Sequence, residues 1–366
     1  MSSVDQQPAA SDAPLPPSAE PGEQVKVTRA RRSTLWAGIA AIAVVAILGD
    51  LPYRVHSGTT SLLAQFFTLV VMASMWNLLA GYGGLVSVGQ QAFIGLGAYF
   101  VLILAQHGVG PFLGILPAAL LCGIVGLPVW WLVSRLRTGY FAITMWVIAS
   151  VCELIISQIS SLGGGTGTGL PGLPSNPTFL TAYTYWATLA VTVIVLAAVY
   201  YLLRSPVGLV LTAIRDDETG ARSIGARVAW TQQLVFLVAA IGCGAAGALY
   251  IISQQFVEPL SAFSVQWSAE MIFITIIGGI GSIEGPILGT IVFFVLQQTL
   301  SNEGTWYFII LGLVAMVVAI WAPRGLWGLI SDRFGIRLFP VGYWLRRPAD
   351  GTLPAPKMPT DTQLTP

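Results

Sequence analysis

Neutral hydrogen-bonding side chains set among glycines are the first residues of this sequence that could act on a solute. Asn77, Ser87, Gln90 and Gln91 lie in a stretch with six glycines between positions 81 and 97. Each glycine destabilises a helix by roughly 1 kcal/mol relative to alanine, so the stretch predicts an interrupted helix. In a membrane, interruptions are tolerated against protein or a water-filled cavity, where amides and hydroxyls can bind a passing solute. A tight turn followed by small-residue helix packing is an equally good interpretation.

A second glycine-rich stretch, residues 278–289, repeats part of this pattern in the other half of the chain. It opens with Gly-Gly-Ile-Gly-Ser-Ile, which echoes the Gly-Gly-Leu-Val-Ser-Val that begins at Gly83. Two broken segments in two halves of a membrane protein favour an internal repeat with a site between its halves. Chance similarity between glycine-rich runs is the competing explanation. The glycines predicted to break helices or form close helix contacts are Gly83, Gly84, Gly278, Gly279, Gly285 and Gly289.

Carboxylates within apolar runs form the third candidate group, because a buried charge in a membrane is expensive and commonly functional. Glu153 lies inside an apolar run, Glu270 near the start of another, and Glu284 within the second glycine-rich stretch. Glu153 has no basic residue in its own run, which favours a role in pathway polarity or helix contact over proton coupling. We therefore predict a substrate pathway lined by Asn77, Ser87, Gln90, Gln91 and Glu153.

The charged segment 204–230 is the longest polar insertion between apolar runs. It contains Arg215-Asp-Asp-Glu218, and residues 208–226 have the spacing of a short amphipathic helix. A charged loop is usually a solvated face, but one of this length between two strong spans can also dock a partner subunit. Both interpretations stay open on the residues alone.

The composition identifies the elements that must position these residues. Of 366 residues, 55% are hydrophobic and only 9% are charged, against about 25% charged in an average soluble domain. A soluble fold of this size needs more charged surface, so the chain is predicted to be an all-α polytopic membrane protein. Three cysteines, all within apolar runs, exclude a disulfide scaffold, and with only two histidines we expect no metal site.

About ten apolar runs are long enough to be transmembrane helices, and the two short ones in the second half could be half-helices. When the N-terminus is placed in the cytoplasm, all 17 Lys and Arg residues except Arg54 fall on the cytoplasmic side. Both termini are therefore predicted to be cytoplasmic. We expect a disordered tail at 1–34, a transmembrane domain at 35–322 and a second cytoplasmic tail at 323–366. The predicted spans are 35–48, 60–80, 91–107, 111–134, 140–161, 184–203, 231–252, 267–282, 285–300 and 305–322.

The glycine run 163–172 does not have the pattern of a nucleotide site. It lacks the Gly-Lys-Ser/Thr ending of a phosphate-binding loop, and no lysine occurs between Lys26 and Lys357. We therefore expect that this chain is not an enzyme, has no ATPase site of its own and needs no cofactor. We also expect no nucleic-acid partner.

Six segments, in one order along residues 60–330, resemble a known family. They are 77–99, 137–143 with Glu153, 163–171, 213–218 followed by 224–225, 278–289 and 323–326. Together they are similar to the branched-chain amino-acid ABC transporter permeases, specifically the LivM type. The resemblance does not include either tail.

This resemblance implies a membrane subunit of an ATP-driven importer in the bacterial inner membrane. In that family the permease pairs with a LivH-type relative, two cytoplasmic ATPase subunits bind and hydrolyse ATP, and a periplasmic binding protein delivers the amino acid. Segment 204–230 would then be the coupling element, in which Gly225 matches the family's glycine while Ala221-Arg-Ser223 departs from its Ala-Glu-Ala. The residues assigned to ATPase coupling are Ile214, Arg215, Asp216, Asp217, Glu218 and Gly225.

Two other functions stay open. Permeases for urea or short-chain amides are near relatives of this family, and the external receptor selects the substrate, so the pattern does not separate them. An ion-coupled secondary transporter would work without ATP and would depend on Glu153.

Overall fold

The computed structural model describes residues 27–28, 43, 45–136, 138–300, 306–322, 324–334 and 344–345. The chain divides into two compact units, one of residues 1–33 with 342–366 and one of residues 34–341. In the first unit, strand β1 (Val27–Thr28) pairs antiparallel with a second strand, Trp344–Leu345. The predicted tails lie mostly outside the described residues, so the domain boundaries at 34 and 322 stay predictions.

The described residues of the second unit are mainly helical. Seven helical stretches are long and apolar enough to cross a membrane, which confirms the predicted class of all-α polytopic membrane protein. Helices suit lipid because they pair their backbone groups internally. The helices are α1 (45–54), α2 (Ser57–Asn77), α3 (Gln91–Gln106), α4 (Pro111–Val133), α5 (Thr138–Ser157), α6 (Pro177–Arg204), α7 (Pro206–Asp216), α8 (Glu218–Ser223), α9 (Val228–Gln254), α10 (Pro259–Ala262), α11 (Val265–Gly278), α12 (Glu284–Leu300), α13 (Trp306–Trp321) and α14 (Gly325–Phe334).

Helices α2 and α9 form the centre of the bundle. In an apolar 18-residue stretch of each, 72% of the residues are buried for α2 with its π-helical extension and 78% for α9, whereas only 22% are buried in the corresponding stretch of α5. Small residues bring α9 close to α3, because a Cβ on Gly97 would overlap the Gly244 carbonyl and one on Gly247 would overlap the Ile94 carbonyl. In lipid, such backbone contact is a main source of helix association.

The length of α9 defines two ends of the bundle. Its first residue, Val228, packs with Ile214 and Ala221 of α7 and α8. Its last turn leads into β3 (Phe256–Val257), which pairs antiparallel with β2 (Thr168–Gly169). The 27 residues of α9 extend about 40 Å, enough to cross a hydrocarbon core of about 30 Å. We refer to these ends as the α7 end and the β3 end.

Several span boundaries differ from the predicted ones. Helix α6 begins at Pro177 instead of 184, because Asn176 accepts a hydrogen bond from the Thr178 N–H at 3.0 Å and proline occupies the first helical position. The first predicted span, 35–48, lies largely outside the described residues, and the helix there continues to residue 54. The count of ten spans stays a prediction.

Candidate functional site at the α7 end

The first glycine-rich stretch interrupts α2 and turns the chain back along it. The helix continues as a π-helix, Leu78–Tyr82, which ends at Gly83, and π-helical turns are frequent at functional sites. Gly84 then has a φ of +69°, a left-handed conformation suited to glycine. The Trp76 indole N–H donates to the Ser87 carbonyl at 2.8 Å. The chain after the π-helix therefore re-enters the bundle before α3 begins.

The second glycine-rich stretch forms a tight turn between α11 and α12. Gly279 has a φ of +125°, which side-chain-bearing residues rarely adopt. A Cβ on Gly278 would overlap the Gly285 carbonyl, and a Cβ on Gly289 would overlap the Ile274 carbonyl. Gly278 and Gly289 therefore lie where the backbones of the two helices touch.

Asn77 joins the two glycine-rich stretches through both ends of its amide. Its Oδ1 accepts a hydrogen bond from the Gly281 N–H, and its Nδ2 donates one to the Ser282 carbonyl, both at 2.8 Å. A Cβ on Gly81 would overlap Asn77 Oδ1 and lie 2.7 Å from the Gly281 nitrogen. Asn77 is buried, so these bonds satisfy backbone groups that would be costly to leave unpaired. We call this pair of hydrogen bonds the Asn77 bridge.

The predicted coupling segment folds as two helices, and the single helix inferred over 208–226 is wrong. Helix α7 ends at Asp216, and the next residue, Asp217, has an extended backbone with φ −157°. The Asp217 carboxylate accepts a hydrogen bond from the Thr219 N–H at 2.9 Å and so begins α8. An aspartate that caps a new helix competes with continuation of the preceding one, which explains the break.

Arg215 extends from α7 to the turn between α11 and α12. Its Nη1 lies 3.5 Å from the Gly281 carbonyl oxygen, and a Cβ on Gly281 would lie 3.1 Å from Arg215 Cζ. This hydrogen bond is long, so a small displacement of α7 would tighten or break it. One chain of contacts therefore connects α7, the α11–α12 turn and, through the Asn77 bridge, the end of α2.

The other predicted coupling residues divide between a buried anchor and an exposed edge. Ile214 packs against Ala221 and Val228, which fixes α7 and α8 to the start of α9. Gly225 has a φ of +82°, and no atom lies within 4 Å of the position of its Cβ. The segment therefore presents an open polar edge above an apolar anchor. The exposed acidic residues are Asp216, Asp217 and Glu218, the last of which pairs with Arg222 at 2.7 Å.

Gln90 and Gln91 lie inside the bundle where α3 begins. Gln90 Oε1 accepts a hydrogen bond from the Cys243 thiol at 3.2 Å, and Gln91 Oε1 accepts one from the Ser268 hydroxyl. Gln91 Nε2 has no hydrogen-bond partner within the described part of the chain. The Ser87 hydroxyl accepts a backbone N–H of its own loop at 3.2 Å. Unpaired buried amides are costly, so Gln91 has the capacity to bind a further polar group.

Glu153 lies apart from the other predicted pathway residues. A Cβ on Gly89 would overlap the Met145 backbone, which shows where the re-entrant loop meets α5. Glu153 is eight residues further along α5, about 12 Å towards the β3 end, and is half-buried. The structure therefore does not bring Glu153 together with Asn77, and the predicted pathway residues do not form one cluster.

A cavity of about 660 Å³ lies at the α7 end beside α8. Its walls come from the loop after the π-helix, the corner between α4 and α5, and the starts of α8 and α9. The lining includes Arg135, Arg222 and Glu218, and Gln232 donates to the Gly83 carbonyl at 3.5 Å. The cavity separates α8 from the α4–α5 corner.

Comparison with known proteins identifies the family. The family described as "Branched-chain amino acid transport system / permease component" matches residues 58–320. The chain belongs to this family. The permease is therefore a transport protein and not an enzyme.

Three LivM proteins are similar to this permease, which confirms the resemblance seen in the sequence. The "High-affinity branched-chain amino acid transport system permease protein LivM" of Escherichia coli is 26% identical over 322 residues, covering 80% of this chain and 76% of its own. The protein of the same name from Salmonella typhimurium is 25% identical with the same coverage. The "Probable branched-chain amino acid transport permease protein LivM" of Methanocaldococcus jannaschii is 21% identical, covering 73% of this chain and 92% of its own. No solved structure matches the permease.

Sequence reasoning missed three residues that build this part of the permease. Trp76 fixes the re-entrant loop, Gly281 contacts both Asn77 and Arg215, and Ser268 donates to Gln91. Trp76 adjoins Asn77 in the sequence, and Gly281 lies within the second glycine-rich stretch, so proximity to known candidates was an available signal. Ser268 had no such signal, because its contact depends on how α11 packs against α3.

Proposed function

We propose that this permease is the membrane-spanning subunit of an ABC importer that translocates branched-chain or similar amino acids. Its energy comes from ATP bound and hydrolysed by partner subunits. The contact between Arg215 and Gly281 is the observation that supports the proposal most strongly, because it connects α7 to the turn between α11 and α12. The Asn77 bridge in turn connects this turn to the end of α2. The LivM relatives, which are named as branched-chain amino acid permeases, support the substrate class.

The proposed orientation places the α7 end in the cytoplasm, in a bacterial inner membrane. Cytoplasmic loops carry an excess of Lys and Arg. At the opposite end, the described residues include one basic residue, Arg54, which is the last residue of α1 and precedes α2. The same argument gives cytoplasmic termini. The described basic residues in loops or helices of the α7 end are Arg135, Arg204, Arg215, Arg222, Arg227, Arg324 and Arg333.

The proposed mechanism is a shift between two conformations of the permease. An ATPase subunit changes this equilibrium only if it binds one conformation better than the other. The contact of Ile214 with Ala221 and Val228 would make α7, α8 and the start of α9 move as one body. Movement of Arg215 relative to Gly281 would then displace the end of α2 through the Asn77 bridge.

The proposal implies three kinds of partner. Two cytoplasmic ATPase subunits would drive the transporter, and one of them would contact the exposed edge at Asp216–Glu218 and Gly225. A LivH-type permease would complete the membrane pair, and a periplasmic binding protein would supply the amino acid. With selectivity held in that receptor, the permease needs only weak polar contacts such as those available at Gln91.

Leucine uptake by the reconstituted transporter tests the proposal. Uptake should require the partner ATPases and should stop when the phosphate-loop lysine of those ATPases is substituted. If the permease alone accumulates leucine in liposomes under a proton gradient, and Glu153→Gln removes that uptake, an ion-coupled transporter replaces the importer. Calorimetry on the receptor separates substrates, because heat with urea or amides and none with leucine would identify an amide importer.

A further inference from the structure

A second cavity, of about 210 Å³, lies towards the β3 end between α2, α9, α11 and α12. Its position on α9 is close to the last residue, far from the coupling segment at the other end of that helix. Ligand sites for drug-sized molecules measure about 300–1,000 Å³, so this cavity suits a small solute. Four glutamines from four different helices line it: Gln65, Gln254, Gln266 and Gln297.

The cavity also contains a buried carboxylate. Glu270 is 3% exposed and accepts a hydrogen bond from Gln266 Nε2 at 2.8 Å. No described basic residue lies within ion-pair distance of Glu270. A carboxylate taken out of water is costly unless a cation or several donors compensate it, and such residues within membrane spans are typically functional. The lining thus contains a buried carboxyl group without a basic partner among the described residues.

An aromatic wall stands beside this carboxylate. The rings of Tyr250 and Trp267 meet edge to face, with centroids 5.0 Å apart. The Trp267 indole N–H donates to the Ser261 carbonyl at 2.9 Å, which holds the ring in place. Aromatic faces attract cations and also provide apolar surface for an aliphatic side chain.

We propose that this cavity is the first binding site for the amino acid as it enters the permease from the side opposite α7. The ammonium group lies against Glu270 and the aromatic wall, and the substrate carboxylate accepts hydrogen bonds from glutamine amides. Carboxamides offer two donors and an acceptor each, so four of them can bind both ends of a zwitterion. This inference deepens the proposed function and rests on it.

The first test compares leucine uptake by variants present at equal levels in the membrane. Glu270→Gln removes the charge with little change in shape and should lower kcat/KM for uptake about tenfold, as expected for loss of a charged hydrogen bond. Glu258→Gln, a matched change near the same end but outside the cavity lining, should stay within about twofold. Gln297→Ala should lower uptake more than Gln298→Ala, the neighbouring position outside the lining. Equal uptake by Glu270→Gln and the wild type would overturn the site.

The second test needs no ATPase and therefore separates this inference from the proposed function. Gln65→Cys places a thiol in the cavity, and the rate of its reaction with an impermeant maleimide is measured from the side opposite α7. Millimolar leucine should slow the reaction, whereas 4-methylpentanoate, which lacks the ammonium group, should not. Protection should disappear when Glu270→Gln is added. A rate unaffected by leucine would overturn the cavity site even if ATP-driven uptake is confirmed.

Discussion

The two glycine-rich stretches begin with nearly the same residues and build different structures. The first leaves α2 through a π-helix, and a loop at residues 83–90 carries the chain back into the bundle. The second turns sharply at residues 279–283 and brings α12 directly against α11. Similar short sequences therefore do not fold into similar structures here, and the local geometries give no support to an internal repeat.

Gly84 in the first stretch is required for a different reason from Gly278 and Gly289 in the second. Gly84 is required for its left-handed backbone conformation, because its φ is positive while no atom lies within 4 Å of its Cβ position. Gly278 and Gly289 provide space, because a Cβ at either position would overlap a carbonyl of the facing backbone. A glycine at a position where a Cβ would clash is expected to tolerate alanine less well than a glycine that is required only for its backbone conformation.

The largest effect is expected for Gly278→Ala. Its added Cβ meets the rigid Gly285 carbonyl, so the loss of stability should reach or exceed the upper part of the about 1–3 kcal/mol typical of overpacking. Thermal unfolding in detergent measures it. Gly312→Ala in α13 is the control, since nothing lies within 4 Å of that Cβ. An equal unfolding temperature for both variants would contradict the expected clash between a Cβ at position 278 and the Gly285 carbonyl.

A smaller loss is expected when the link between the two stretches is removed. Asn77→Ala leaves the Gly281 N–H and the Ser282 carbonyl without their partner, and we expect a loss of about 1–3 kcal/mol. Asn77→Asp keeps an acceptor for Gly281 and should lose less. The same unfolding assay orders the three proteins. Alanine and aspartate variants of wild-type stability would show that the Asn77 bridge does not hold the stretches together.

Gly84→Ala should cost only about 1 kcal/mol, the strain of a left-handed backbone with a Cβ. No clash adds to that strain, because the surrounding space is open. Unfolding temperatures of Gly84→Ala and Gly278→Ala, measured side by side, sharpen the comparison. If Gly84→Ala is the less stable of the two, the assignment of a conformational role to Gly84 and a steric role to Gly278 is wrong.

Arg215→Ala should change stability least, within about 0.5 kcal/mol, because the side chain is exposed and its one bond is long. Its effect should instead appear in coupling, as less leucine taken up per ATP hydrolysed. Arg54→Ala is the matched control, since Arg54 forms an exposed pair with Asp50 within α1 at the opposite end of the bundle. A normal ratio of uptake to hydrolysis in the Arg215 variant would remove Gly281 from the coupling path.

Much of this arrangement follows from the sequence, but the contacts do not. Glycine content and apolar length predicted the interrupted helices, and the charged run predicted a helical insertion near residue 215. The break at Asp217 was missed because an aspartate can cap a helix or simply be exposed within one. The Asn77 bridge was not predictable, since it joins a side chain to backbone atoms two hundred residues away. Likewise Glu270 was a known carboxylate, but its cavity needs four helices to assemble.

The side of the membrane on which α8 lies tests the account most directly. Thr219→Cys places an exposed thiol in the coupling segment, and Ser175→Cys places one in the loop that precedes α6. Each is labelled with an impermeant maleimide in right-side-out and in inverted membrane vesicles, with the unsubstituted permease as the background. The account predicts that Thr219→Cys reacts only in inverted vesicles and Ser175→Cys only in right-side-out ones. Labelling of Thr219→Cys from the outside would contradict a cytoplasmic ATPase contact at this segment.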